Sequence, residues 1–307
     1  MKLVCVFGPT ACHKSETALH LAEKLNGEIL SCDSVAVYRG FDIGSAKPSR
    51  EEQGRAVHHL IDIADPKDAD FSVSVFQKAA DSAIQSCVQR GKQPILAGGS
   101  GLYADAVLRD MGYAVPGGGA VRDRLSAEYD RNPAEFQKRL KTVDFQAGER
   151  IPLGDKKRLV RAMEVYELTG RPFSSFNEAY TRARQKLRYD TLMIGLNMER
   201  SRLYERINRR VDLMMEQGLL EEAKGLYDHI ENKRLPAMQS IGYAQLFEYF
   251  RGNISLEAAV EKIKLDTRHL AKRQLTWFRR EDAIRWFDCD RWPEALAEIE
   301  RYCVDNL

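Results

Sequence analysis

Eight consecutive residues, Gly8-Pro9-Thr10-Ala11-Cys12-His13-Lys14-Ser15, carry the first chemistry legible in this chain. They stand between an apolar run at 3–7 and a segment of helical periodicity at 16–25. A strand, a turn and a helix start in that order form a phosphate-binding loop, where backbone N–H groups and the helix dipole hold anionic oxygens. The pattern asks for G-x-x-x-x-G-K-[ST], with the Lys reaching the terminal phosphate and the hydroxyl ligating Mg²⁺. Gly8, Lys14 and Ser15 satisfy it, while His13 stands where the second Gly belongs. The segment therefore reads as a diphosphate or triphosphate site, with Ser15 as the Mg²⁺ ligand. The plainer alternative is a strand-turn-helix with no ligand, and the flanking elements weigh against it.

His13 admits two readings. His tolerates positive φ better than most side chains, so the loop keeps its shape at a strain of about 1–3 kcal/mol. Alternatively the ring fills space that the phosphate needs.

Strand signals at 3–7, 29–32, 95–97, 191–196 and 284–287 alternate with helical stretches, which predicts a parallel sheet covered by helices. The pattern from 112 to 188 is helical only (121–130, 133–141, 156–168, then a polar stretch) and is entered through Gly112, Pro116 and Gly117-Gly118-Gly119. The expected organisation is a P-loop α/β core, 1–111 and 189–307, with an all-helical insertion at 112–188. Long helices are expected again at 200–217, 219–229, 244–250 and 256–280.

The chain has 307 residues, 30% of them charged, with a formal net charge of only +2. The whole molecule is thus not an electrostatic nucleic-acid binder, and any such role must fall to local clusters. Three exist: Arg182, Arg184, Lys186 and Arg188; Arg200, Arg202, Arg206, Arg209 and Arg210; and Arg268, Lys272, Arg273, Arg279 and Arg280. A solvated helix face explains any one of them, but three beside a phosphate loop favour a groove for a polyanion. The six Cys form no C-x-x-C pair, and Cys5 and Cys32, on strands, read as small buried hydrophobes. No apolar run approaches membrane-spanning length and the N-terminus enters a strand directly, so a cytoplasmic protein without a membrane partner is expected.

Several segments, in order along nearly the whole chain, resemble the tRNA dimethylallyltransferases. Gly8-Pro9-Thr10-Ala11 opens that family's P-loop, and Asp33-Ser34 with Val37-Tyr38-Arg39-Gly40 resembles its D-S-x-x-V-Y segment. Asp42 to Pro48, His58-His59-Leu60-Ile61-Asp62 and Gly98-Gly99-Ser100-Gly101-Leu102-Tyr103 follow. Asp155 with Arg158 and Arg161, Arg206-Ile207 with Arg210, Ile241-Gly242-Tyr243, and Thr267 to Arg279 complete the set.

The resemblance implies a P-loop NTPase-like fold and transfer of a dimethylallyl group from dimethylallyl diphosphate to N6 of the adenine beside the tRNA anticodon. It implies Asp33 as the base, since an exocyclic amine is a poor nucleophile, with Lys14, Arg206 and Ser100 at the leaving diphosphate. It implies anticodon stem-loop contacts at Asp33, Ser34, Val35 and Ala36, at Gln239, Ser240, Ile241, Gly242 and Tyr243, and on the insertion at Arg122, Lys157, Arg158, Leu159, Val160 and Arg161. Mg²⁺ is the implied cofactor, and a monomer is expected.

Plainer roles stand beside these: Asp33 as a cap of the next segment, Trp277 and Phe278 as core. His58-His59 reads as packing, because no third metal ligand has suitable spacing. The chain departs from the family pattern at His13, at Ser100 for Thr, and at Ala36, where most members carry Gln. It also departs at Ile151-Pro152-Leu153-Gly154-Asp155 and at Ala244. Rival readings are a prenyltransferase for a free adenine nucleotide, whose mark would be a shortened insertion, a nucleotide kinase or ATPase, and a catalytically weakened tRNA binder.

Overall fold

The computed structural model describes residues 1–68, 71–109, 119–176 and 186–307. Arg182 and Arg184, most of the linker at 112–118 and the polar stretch from 177 to 185 lie outside them. The chain divides into two compact units, one of Met1–Val107 with Tyr189–Leu307, the other Leu108–Arg188.

The first unit is built on a six-stranded sheet in the order β3-β2-β4-β1-β5-β6. Its strands are β1 (Leu3–Phe7), β2 (Gly27–Cys32), β3 (His58–His59), β4 (Gln93–Gly98), β5 (Thr191–Asn197) and β6 (Ile284–Asp288), and all pairings are parallel. Every β1 residue is buried, as a central parallel strand covered on both faces requires. Helices α1 (Lys14–Lys24), α2 (Arg50–Arg55), α3 (Val73–Gln89) and α4 (Gly101–Leu108) belong to the N-terminal half. The later sequence adds α9 (Arg200–Glu216), α10 (Leu219–His229), α11 (Tyr243–Phe250), α12 (Leu256–Phe278) and α13 (Glu294–Asn306). One apolar core joins Val4, Val6, Leu21, Ile95 and Ile194 from the sheet and α1 to Ile207 of α9 and Ile299 of α13.

Register sets the site. Phe7 is paired with Gly98, and Gly98 with Cys32, so three strands end side by side and their following loops emerge together. That edge is where open α/β sheets bind ligands. Gly98 is required there, because a Cβ on it would stand 2.1 Å from the Cys32 carbonyl oxygen. β3 was not among the expected strands, being two residues long. α2 was also unforeseen: it buries no residue, so it has no apolar period, and a Ser49–Glu52 capping box starts it.

The second unit consists of α5 (Gly119–Arg131), α6 (Pro133–Val143), α7 (Phe145–Arg150) and α8 (Lys156–Thr169). Asn132, Asp144 and Asp155 cap three of these through side-chain oxygens. Its own core joins Leu125, Phe136, Leu140, Leu159 and Met163. Glu164 is 0% exposed and is held by Arg122 at 2.8 Å and Arg161 at 2.6 Å. Among the described residues no helix is long and apolar enough to cross a membrane.

Candidate active site

The loop between β1 and α1 takes the left-handed conformation twice, at Ala11 (φ 62°) and at His13 (φ 54°). Of the two readings of His13, the first therefore describes the backbone. The ring is also committed elsewhere: it stacks on Trp292 at 4.2 Å and 13°. Its Nδ1 lies 2.8 Å from Glu16 Oε2, and Trp292 Nε1 donates to Glu16 Oε1 at 3.0 Å. A carboxylate thus ties the two stacked rings together.

The loop is braced from three other directions. The Thr10 N–H donates to Gln274 Oε1 at 2.8 Å, Lys14 Nζ to the Pro9 carbonyl at 2.6 Å, and Arg206 Nε to the Ala11 carbonyl at 2.9 Å. Burial pushes the Lys14 ammonium down to about 8, with the Arg210 charge adding to the effect. Arg210 is itself lowered by burial, and Asp33 opposes that shift. Cys12 is 1% exposed. Its thiol is drawn down first by a hydrogen bond from Cys289, then by the Lys14 and Arg206 charges.

Asp33 follows the last residue of β2. Its Oδ1 accepts the N–H groups of Val35 (2.8 Å) and Ala36 (3.2 Å), and Oδ2 has no hydrogen-bond partner among the described residues. The capping role and an open carboxylate oxygen thus coexist in one side chain. Ser100 Oγ accepts the Ser34 N–H at 3.0 Å and donates to Ser34 Oγ at 3.2 Å.

A cavity of 820 Å³ within the first unit is lined by Thr10, Ala11, Cys12, His13, Lys14 and Ser15, by Asp33, Ser34, Val35 and Ala36, by Gln239, Ser240, Ile241 and Gly242, and by Arg206. Gly8 and Pro9 support this wall without forming it, and Ser100 acts on it through Ser34. Arg210, Tyr103 and Gln274 also line it. They were absent from the residues expected to act, although all three fell within matched segments.

Three expected RNA contacts are corrected. Leu159 and Val160 are 0% and 4% exposed, turned by the helical period into the core of the second unit. Tyr243 is 0% exposed, and its hydroxyl donates to Glu222 Oε1 at 2.6 Å. The same carboxylate accepts the N–H groups of Asp42, Ile43 and Gly44, so Tyr243 braces that loop from below. Lys157 and Arg158 are exposed, whereas Arg122 and Arg161 are tied to Glu164.

The absence of a third ligand for His59 is also corrected, since Glu28 and Cys87 bring atoms within 4.8 Å of it and of one another. Arg90, however, pairs with both Glu28 oxygens and holds that carboxyl at about 2. The group is a hydrogen-bonded brace linking β2, β3 and α3. Phe278 stacks on Phe7 at 4.7 Å. Trp277 packs against Gly101 with its indole nitrogen unpartnered among the described residues.

A family model described as IPP transferase matches residues 36–281. The chain belongs to that family. A tRNA dimethylallyltransferase of Bacillus cytotoxicus is 43% identical over 308 residues, covering 100% of this chain and 96% of the relative. One from Geotalea daltonii is 44% identical over 99% of this chain and 92% of its own. Among solved structures, the tRNA isopentenylpyrophosphate transferase of Bacillus halodurans is 40% identical, with a TM-score of 0.73 over 99% of this chain and 96% of that one. A eukaryotic dimethylallyltransferase acting on tRNA matches with a TM-score of 0.80 at 25% identity, over 99% and 80% of the two chains. The IPP transferase match begins after the phosphate loop and Asp33, which the full-length relatives nevertheless cover.

Proposed function

We propose that this protein transfers a dimethylallyl group from dimethylallyl diphosphate to N6 of the adenine beside the anticodon in tRNA, as a cytoplasmic monomer. The observation that carries the reading is one cavity wall bearing an open carboxylate oxygen, on Asp33, beside three cations, Lys14, Arg206 and Arg210. In the reaction the allylic C–O bond breaks, the N6–C bond forms, and the amine proton passes to Asp33. Negative charge grows on the departing diphosphate, where Lys14, Arg206, Arg210 and the loop N–H groups oppose it. Lys14 gives up its bond to the Pro9 carbonyl for a phosphate oxygen. The proton acceptor thus stands on the loop after β2, and the anion-binding groups on the loop after β1, at the start of α1 and on α9.

Mg²⁺ fits this wall. Ser15 offers an exposed hydroxyl, a hard oxygen donor, and Mg²⁺ keeps most of its waters and relies on substrate phosphates. When bound it neutralises diphosphate charge. On the insertion, Lys157 and Arg158 hold the RNA backbone, while Arg122 and Arg161 keep the second unit folded around Glu164.

The test is release of diphosphate from dimethylallyl diphosphate with purified protein and Mg²⁺, with tRNA, with free adenine nucleotides, or with neither. Release that requires tRNA supports the reading. Release with free nucleotides, or nucleotide turnover without any allylic diphosphate, contradicts it.

A further inference from the structure

We infer that Gln274 gives the diphosphate a neutral hydrogen-bond donor in exchange for the loop N–H it consumes. This rests on the functional reading above. Gln274 lies on α12, is 8% exposed and borders the cavity. An amide can be turned two ways, and here the turn is decided by chemistry. The Thr10 N–H, 2.8 Å away, needs an acceptor, so Oε1 must face it. Nε2 then points the other way, and none of the described residues accepts a hydrogen bond from it.

Nε2 is not one of the fully buried side-chain atoms left without a partner, so its hydrogens open on the cavity. A ligand in that cavity can offer them an acceptor, and a diphosphate carries several. Its place is fixed by two substrate loops. Oε1 is anchored on the phosphate loop, and Nε2 stands 2.2 Å from where a Cβ on Gly99 would sit, so only a glycine there admits the amide. Thr10 sits inside a phosphate loop, where backbone N–H groups ordinarily point at the anion. Its N–H is diverted to Gln274, which returns a donor from its other end. Gln274 thus replaces a backbone donor with a side-chain donor set between the two loops.

Three proteins test this: the wild type, Gln274→Glu, which keeps an acceptor for Thr10 but loses the donor, and Gln274→Met, which loses both. Affinities for dimethylallyl diphosphate and for inorganic diphosphate are measured calorimetrically with Mg²⁺, alongside tRNA affinity and the thermal midpoint. At a pH of about 7.5, Gln274→Glu should bind both diphosphates about 10- to 100-fold more weakly than wild type, the range for losing a hydrogen bond to a charged group. That gap should narrow towards a pH of about 5, as the new carboxyl gains a proton it can donate. Its tRNA affinity and midpoint should stay near the wild-type values, a pattern that a merely structural glutamine would not give.

Variants that bind diphosphate within twofold of a binding-competent wild type overturn the inference, as does a defect confined to tRNA. A defect of equal size at both pH values also overturns it. A wild-type protein that binds no allylic diphosphate overturns the functional reading instead, and is recognised by its failure before any variant is compared.

Discussion

Replacing His13 by Gly separates the strain of the phosphate loop from the space in front of it. His13 sits at φ 54° and ψ 15°, where a side chain costs about 1–2 kcal/mol that Gly escapes. Against that gain stands the ring stacked on Trp292 at 4.2 Å, about 0.5–1.5 kcal/mol for such a pair. The contact with Glu16, which is 56% exposed, adds about 0.2–1 kcal/mol. Gly also brings extra unfolded-state entropy, about 0.5–1 kcal/mol. The balance is a net loss on the order of 1 kcal/mol, a small fall in thermal midpoint.

For donor binding the geometry is more decisive. Because Trp292 and Glu16 already hold the ring, deleting it removes no obstruction to the phosphate, and affinity for dimethylallyl diphosphate should change by no more than roughly threefold. Trp292→Ala, which releases the ring, should weaken binding by about tenfold, and adding His13→Gly should restore it, a coupling that a double-mutant cycle measures. Calorimetric titration of the four proteins reads all of these. A tenfold gain in affinity from His13→Gly alone would show instead that the ring crowds the phosphate despite its stacking partner.

Asp33→Asn keeps an acceptor for the Val35 and Ala36 N–H groups but removes the base, so turnover should fall about 10²–10⁴-fold with tRNA affinity retained. Activity within threefold of wild type in single-turnover assays would remove Asp33 from the role. Lys14 titrates near about 8 in the free protein, so diphosphate affinity should fall as pH rises through that value. Over the same rise, folding stability should increase between about 8 and the ordinary lysine value of 10.5, because the unfolded chain there binds the extra proton. Chemical denaturation and titration calorimetry from pH 7 to about 10 check both signs, and Lys14→Met should flatten both. Lys157→Ala with Arg158→Ala should make the salt dependence of tRNA binding shallower by about 0.7–0.9 per lost phosphate contact. Arg161→Ala should instead lower the melting temperature, since it strips a partner from the buried Glu164 carboxylate.

The strands were legible because each is a short apolar run in a covered parallel sheet, and Lys14, Asp33 and Arg206 because each is a charge at a strand end or in a matched motif. β3 was not, since two histidines carry no period. α13 was missed although its buried Ala295, Ile299 and Cys303 recur every fourth residue, a helical signal that was there to read. Leu159, Val160 and Tyr243 entered the RNA-contact set through contiguous segments, whereas a helix turns successive residues to different faces. Arg210 and Gln274 become visible as wall residues only when α9 and α12 lie over the loops. Likewise Ala11, which offers nothing in sequence to announce a positive φ, shares the left-handed turn that His13 alone was expected to take.

The most direct measurement is mass spectrometry of the nucleosides from tRNA incubated with the protein, dimethylallyl diphosphate and Mg²⁺, with digestion fragments mapped to position. N6-dimethylallyladenosine is expected at the adenine beside the anticodon, formed by the wild type and lost with Asp33→Asn. Unmodified adenosine there, from a protein shown to bind both substrates, would contradict the proposed transfer.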